Sequence, residues 1–60
     1  MHPICWLSAP YRRALAAEIA RYEATFAIRP QPAGWQPLGV GVRVYANAGE
    51  RPVQFDLYLD

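Results

Sequence analysis

The feature that most constrains the fold is a pair of short segments, residues 38–45 and 53–60, in which apolar and other residues alternate. Alternation with a period of two places every second side chain on the same face of a β-strand. Residues 46–51, between the two segments, contain Asn and Gly and are typical of a hairpin turn. The apolar positions are Leu38, Val40, Val42, Val44, Val53, Phe55, Leu57 and Leu59. The sequence therefore predicts a β-hairpin with one apolar face that another element must cover.

The register of this hairpin is restricted, because a shift by one residue would turn every side chain of one strand to the opposite face. One permitted register places Arg43 opposite Asp56 and Tyr58 beside Gly41. A second register, shifted by two residues, keeps the apolar faces together equally well. The sequence alone leaves both registers open.

An amphipathic helix is predicted from Pro10 to about Phe26. Pro10 suits the first turn of a helix, and Ser8 is placed to cap it. The apolar positions of the helix form a stripe roughly 80° wide, as expected for a helix that packs on one surface. This stripe consists of Tyr11, Leu15, Ile19, Tyr22 and Phe26, and the opposite face is rich in alanine at Ala16, Ala20, Ala24 and Ala27. Because the stripe is the only sizeable cover for the hairpin, we expect the helix to pack on it.

Two further segments complete the predicted architecture. Residues 4–7 form a short apolar run that we expect to add an N-terminal strand. Residues 29–37 contain three prolines and are predicted to be a connecting loop, partly of polyproline geometry, with Trp35 as its only large apolar side chain. The predicted fold class is α+β, a single small domain over residues 1–60. It has one amphipathic helix packed on an antiparallel β-hairpin, and the N-terminal segment contributes a third strand, which gives the order β-α-β-β.

The size and charge of the chain limit its function. Sixty residues make one small domain with a thin core and too little chain to enclose a deep active site. The net charge is +1, whereas basic nucleic-acid domains usually lie above pI ~9. Cys5 is the only cysteine, and neither a signal peptide nor a membrane-spanning stretch is evident, so we expect a reducing, cytoplasmic setting. Abundant Ala, Gly, Pro and Arg residues suggest a GC-rich bacterium or its phage as the source.

Groups for catalysis or metal binding are scarce. His2 and Cys5 have the spacing of two metal ligands, but a structural zinc site requires four. We interpret Cys5 as a core residue, a common position for free cysteine. Asp56 and Asp60 lie four residues apart on an open strand face rather than in a cleft. We therefore expect no enzymatic activity, no catalytic residue, no metal and no cofactor.

Protein binding is the function class that the residue types favour. The face of the hairpin turned away from the helix carries Tyr and Arg, which are enriched at binding hot spots. The start of the helix adds Tyr11 and Arg12, and the proline-rich segment adds Trp35. The expected partner-binding residues are Tyr11, Arg12, Trp35, Arg43, Tyr45, Gln54, Asp56 and Tyr58. The structural alternative is that the tyrosines are ordinary strand-forming residues on a solvated face. For Trp35 the alternative is packing on the thin core, which we favour slightly because large aromatic side chains dominate small cores.

These observations predict a non-enzymatic module that inhibits or modulates a larger bacterial protein complex by covering one of its surfaces. Chain size and the inferred source suggest, by analogy only, a phage-encoded inhibitor of the anti-CRISPR type. The alternative is a small nucleic-acid-binding domain that uses Arg12, Arg13, Arg29 and Trp35. The sequence also permits a homodimer, through either the alanine face of the helix or the edge of the C-terminal strand. No membrane contact is expected.

Overall fold

The computed structural model describes residues 2–59, which form one long helix and a three-stranded antiparallel sheet. A short 3-10 helix, Ile4–Trp6, precedes helix α1, Ala9–Phe26. The strands follow in chain order as β1 (Gln31–Pro37), β2 (Gly41–Ala48) and β3 (Arg51–Tyr58), with β2 in the centre of the sheet. The predicted α+β class, with a helix packed on an antiparallel hairpin, is confirmed.

Helix α1 begins one residue before the predicted start at Pro10 and ends at Phe26, as the sequence predicts. Ser8 occupies the N-cap position and its carbonyl accepts the Arg12 N–H at 3.0 Å, but its side chain makes no capping bond. Pro10 lies in the first turn, where its missing N–H costs no hydrogen bond. At the other end, Ala27 adopts a left-handed conformation with φ 59°, and its N–H bonds the Glu23 carbonyl at 2.9 Å. This conformation ends the helix.

The core lies between α1 and the sheet, as the apolar patterns predict. Leu15 and Ile19, from the middle of the helix, form one cluster with Val42 and Val44 of β2 and Leu57 of β3. Val44 is fully buried at the centre of the sheet. Every second residue of β2 is buried, which is the pattern of a strand covered on one face.

Several positions of the predicted apolar faces fall outside this core. Val40 is 76% exposed because β2 begins only at Gly41, so the alternation in the sequence starts before the strand does. The Leu38 N–H instead bonds the Gly41 carbonyl at 2.8 Å within the turn between β1 and β2. Leu59 follows the end of β3 and Phe26 is the last residue of α1, and both are exposed.

The third strand comes from the proline-rich segment and not from the N-terminus. Residues 31–37, predicted as a loop, pair with β2 and contain a bulge between Pro32 and Gly34. An edge strand tolerates proline, because one side of its backbone needs no hydrogen-bond donor. The N-terminal apolar run forms the 3-10 helix instead, and its neighbour His2 joins the sheet through a single bridge to Trp35. The predicted order β-α-β-β is thus corrected to α-β-β-β.

The β2–β3 hairpin adopts one of the two registers that the sequence permits. Arg43 lies opposite Asp56, and Gly41 lies opposite Tyr58. A Cβ atom at position 41 would collide with the carbonyl of Leu57, so this close approach requires glycine. The register aligns the apolar side chains of both strands beneath α1.

Candidate functional site

The candidate site is the face of the sheet that points away from α1, which we call the outer face. β2 and β3 place on it the residues that alternate with the buried ones, namely Arg43, Tyr45, Gln54, Asp56 and Tyr58. β1 adds Gln36 opposite Arg43 and Gly34 opposite Tyr45, a contribution that the loop prediction missed. The outer face therefore spans all three strands, while α1 packs on the other side.

An ion pair links β2 to β3 on the outer face. Arg43 Nε donates to Asp56 Oδ1 at 2.8 Å and Nη2 donates to Oδ2 at 3.2 Å, so the guanidinium holds the carboxylate with two parallel hydrogen bonds. The two side chains are 32% and 30% exposed. The hydrogen bonds from Arg43 lower the pKa of Asp56, and the same bonds raise the pKa of Arg43. Both groups are thus ionised at neutral pH, and together they present a fixed polar patch without net charge.

Two tyrosines flank this ion pair along the strands. Tyr58 is 57% exposed, and its Cδ1 atom lies 2.9 Å from the position that a Cβ atom at Gly41 would take. Tyr45 is half-buried between Gln54 on β3 and Gly34 on β1. Each tyrosine therefore has a glycine as a cross-strand neighbour, which leaves its ring room beside the backbone. A shallow depression of about 340 Å³ is lined by Tyr45, Pro52, Val53 and Gln54.

Three of the predicted partner-binding residues lie away from the outer face. Tyr11 is half-buried against the core, and Arg12 is exposed on α1. Trp35 lies on the helix side of β1, where it packs against the core and its Nε1 donates to the Pro3 carbonyl at 2.9 Å. The ring of His2 lies 4.9 Å from the Trp35 ring. Trp35 is thus a core-packing residue rather than a free anchor.

The arginines proposed for nucleic-acid binding lie far apart. Arg12 and Arg13 are exposed near the start of α1, whereas Arg29 follows its end and donates to Glu23 at 3.2 Å. An 18-residue helix that rises 1.5 Å per residue separates its ends by about 27 Å. The helix therefore does not gather these cations into one basic patch.

The N-terminal His and Cys, which have the spacing of two metal ligands, both lie at the surface. Cys5 is exposed, which corrects its interpretation as a core residue. His2 packs beside Trp35, and its backbone is held there by the bridge to β1. Within residues 2–59, no three His, Cys, Asp or Glu side chains cluster so that they could hold a metal ion. The arrangement that calls for a functional interpretation is therefore the outer face.

An aromatic groove beside β3 is a feature that the sequence analysis missed. Tyr22 and Phe26 belong to the predicted stripe of α1, yet Tyr22 is only half-buried and Phe26 is 56% exposed. The Tyr22 ring lies 4.5 Å from the Phe26 ring and 6.2 Å, edge to face, from the Phe55 ring. A shallow opening of about 190 Å³ adjoins these three rings. Helical periodicity shows which residues share a stripe but not which of them lie at the margin of a narrow sheet.

Comparisons with known proteins give no indication of function, so a functional proposal depends on the geometry of the outer face. No protein-family model matches the chain, and no curated protein or solved structure matches it at a significant level. In the part of the chain that the structure describes, no helix combines the length and the apolar character needed to cross a bilayer.

Proposed function

We propose that this chain is a non-enzymatic protein-binding domain that docks on a larger protein through the outer face. The observation that carries the proposal is the Arg43–Asp56 ion pair, held between two tyrosines on a sheet face that α1 does not cover. By covering a surface of its partner, the domain blocks other contacts that are made there. Such a mechanism needs no chemistry from the domain itself.

The residue types on the outer face suit a protein partner. Tyr and Arg are enriched at interface hot spots, where they combine a large contact area with polar ends. Arg43 and Asp56 hold each other in place, so less side-chain entropy is left to lose on binding. Tyr58 keeps 57% of its surface available for contact. These features support a preorganised docking surface.

The extent of the outer face also suits docking. A stable interface typically buries about 800 Å² per partner. The accessible surface of the chain is 4062 Å², so a contact of that size would occupy about one fifth of it. Three strands of seven or eight residues, about 4.8 Å apart and rising about 3.3 Å per residue, span roughly 350 Å², so a contact of that size would cover the outer face and extend over its margins. A domain this small would therefore commit one whole side to its partner.

The charges of the outer face favour a protein over a nucleic acid. Arg43 is neutralised by Asp56, and Tyr45, Gln54 and Tyr58 carry no charge. A surface that binds phosphates relies on cations that release counterions when they meet the backbone. The partner surface should therefore mix polar and apolar groups, and binding should depend only weakly on salt.

The cellular setting that we propose rests on the sequence. A lone, exposed Cys5 suits a reducing compartment, so we propose a cytoplasmic partner. The chain is small and rich in Ala, Gly, Pro and Arg, whose codons are rich in G and C. Both features support a larger bacterial complex as the target, inhibited in the manner of phage-encoded anti-CRISPR proteins. Contact between two copies, through the alanine face of α1 or the edge of β3, is compatible with this role.

A capture experiment tests the docking proposal. The immobilised chain is exposed to a lysate of the native host, with and without nuclease, and the affinity of the captured partner is then measured. Variant Tyr45→Ala/Tyr58→Ala removes both aromatic rings of the outer face, and Arg13→Ala on exposed helix surface is the control. We expect nuclease to leave the partner bound, the double variant to weaken binding at least tenfold and the control to have no effect.

Three results would contradict the proposal, and the second of them comes from repeating the affinity measurement at several salt concentrations. Loss of the partner after nuclease treatment would identify a nucleic acid as the ligand. So would a fall in log K with log salt of about 0.9 per neutralised phosphate. Unchanged binding by a folded Tyr45→Ala/Tyr58→Ala variant would place the docking surface elsewhere. Circular dichroism of both variants establishes that they are folded.

A further inference from the structure

β3 is an open edge of the sheet, in contrast to β1. The β1 edge is interrupted by Pro32 and Pro37, by a bulge and by the bridge to His2. Prolines and bulges of this kind hinder pairing with a further strand. β3 contains one proline, Pro52, in its second position, and within residues 2–59 no strand pairs with its free side. A sheet edge in this state accepts another strand.

The hairpin turn defines which backbone groups of β3 point outward. The turn consists of Gly49 and Glu50, and a two-residue turn is flanked by a hydrogen-bonded pair, here Ala48 and Arg51. Hydrogen-bonded and non-hydrogen-bonded pairs alternate along an antiparallel ladder, so the backbone hydrogen bonds between β2 and β3 form at this pair and at every second pair after it. The intervening residues of β3 direct their N–H and C=O groups away from β2. They are Pro52, Gln54, Asp56 and Tyr58. Proline fits this set, because an outward position needs no N–H, and the other three offer both donors and acceptors.

The aromatic groove lies beside this edge and adds apolar surface to it. Phe55 belongs to β3 itself, and Tyr22 and Phe26 come from α1, which packs against β3. A backbone edge alone supplies hydrogen bonds but little apolar burial. Covering Phe26, which is 56% exposed, would add the hydrophobic contribution that the edge lacks. Edge and groove together therefore form one interaction surface.

We propose that a second copy of this chain pairs with β3 in antiparallel orientation and forms a homodimer with one continuous sheet. In the register that we infer, Phe55 lies opposite Phe55 of the second copy at the twofold axis. Gln54 then lies opposite Asp56 of the second copy, and the two residues exchange both of their backbone hydrogen bonds. The two Phe55 side chains meet in the closer, non-hydrogen-bonded kind of pair, on the side of the sheet where the groove lies. The contact is isologous, as expected of a twofold dimer.

Other registers that keep the apolar faces together are less favourable. A shift in one direction sets Asp56 opposite Asp56 of the second copy, and like charges directly opposed in a sheet are destabilising. A shift in the other direction moves Pro52, which has no N–H to donate, from the ends of the paired stretch, opposite Tyr58, to a position opposite Asp56 near the axis. The proposed register avoids the opposed aspartates and keeps Pro52 at the ends, so the edge is complementary to itself. This self-complementarity is the reason that a second copy, rather than an unrelated strand, is the occupant that we infer.

The dimer goes beyond the docking function and does not depend on it. Pairing at β3 joins two outer faces side by side, so that two Arg43–Asp56 pairs and four tyrosines share one surface. A partner with two equivalent sites would fit such a surface. Because dimerisation is measured on the chain alone, its failure would leave the docking proposal intact.

The mass of the purified chain tests the dimer. Light scattering during size exclusion should give twice the chain mass of 6.8 kDa at high protein concentration. Gln54→Pro removes one outward N–H and leaves the β2–β3 bonds in place, so it should give a monomer. Gln54→Ala loses the side chain but keeps the N–H and should remain dimeric. A monomeric wild-type chain, or a folded Gln54→Pro variant that stays dimeric, would overturn the proposal.

Oxidative cross-linking tests the register and does not depend on the folding of the proline variant. In a Cys5→Ser background, Phe55→Cys places two cysteines directly opposite each other, within the Cα spacing of a disulfide. Val53→Cys is the control, since its counterpart lies four residues away along the strand, about 13 Å. We expect a covalent dimer from Phe55→Cys alone. Equal yields from the two variants, or no cross-linking of Phe55→Cys, would overturn the proposed pairing.

Discussion

Single residues set the ends and the spacing of the elements in this fold. Gly41 is required by the carbonyl of Leu57, a constraint that appears only once β2 and β3 are paired. Ala27 closes α1 at φ 59°, a conformation in which a Cβ atom costs roughly 1–2 kcal/mol. Glycine is the usual residue at this point of a helix because it has no such penalty. The helix is therefore closed by a residue that is not the most stable choice there.

Replacing Ala27 with glycine should stabilise the chain. Relief of the left-handed strain is partly offset by the greater freedom of glycine in the unfolded state, so we expect a gain of up to about 1 kcal/mol in the free energy of unfolding. Ala24→Gly, inside α1, is the control and should lose about 0.5–1 kcal/mol. Urea unfolding measures both. Equal destabilisation by the two substitutions would contradict the left-handed end of the helix.

Among the elements, the helix and the hairpin could be predicted from the sequence, because the spacing of their apolar residues matches the spacing of the side chains that become buried. Leu15 and Ile19 are buried at helical spacing, and Val42, Val44 and Leu57 are buried at strand spacing. Strand β1 does not follow from periodicity, because its prolines count against a strand and the free edge of β2 is a tertiary feature. The N-terminal run of four apolar residues is too short to distinguish a strand from a 3-10 turn.

The sequence predicts the candidate-site residues that lie in the alternating segments of β2 and β3, but not those that lie outside these segments. Tyr45 and Tyr58 lie on the outer face because they alternate with buried residues of the same strands. Trp35 has no such pattern around it, so only the structure shows that it packs against the core. The Tyr22–Phe26 contact escaped prediction for a related reason, since a stripe does not reveal how much of it the sheet covers.

The ion pair between β2 and β3 predicts a pH dependence of stability. Arg43 lowers the pKa of Asp56 in the folded chain, so its stabilisation is fully present above the pKa of an unfolded Asp and is lost as pH falls through the lower folded value. Asp56→Asn removes this titration. We expect the stability difference between wild type and Asp56→Asn to be largest near neutral pH and to shrink below about pH 4. Urea midpoints across this range measure it, and a difference that does not change with pH would contradict the assignment.

The whole molecule is two-sided, and both proposals depend on that property. Six buried residues form the core cluster on the helix side, namely Leu7, Leu15, Ile19, Val42, Val44 and Leu57. A chain of 60 residues has a stability of roughly 3–9 kcal/mol, so each of these residues contributes a large share. The other side of the sheet contributes little to the core and is therefore free to carry a binding function. Because the sheet has only three strands within residues 2–59, no further strand of this region pairs with the free side of β3.

The most direct test of this two-sidedness compares the free energy of unfolding of Leu57→Ala and Tyr58→Ala. The two residues are neighbours on β3 that lie on opposite faces, 4% and 57% exposed. We predict that Leu57→Ala loses about 2–5 kcal/mol through the cavity that it leaves, and that Tyr58→Ala loses less than about 1 kcal/mol. An equal or larger loss from Tyr58→Ala would show that Tyr58 belongs to the core, and it would contradict the assignment of the outer face.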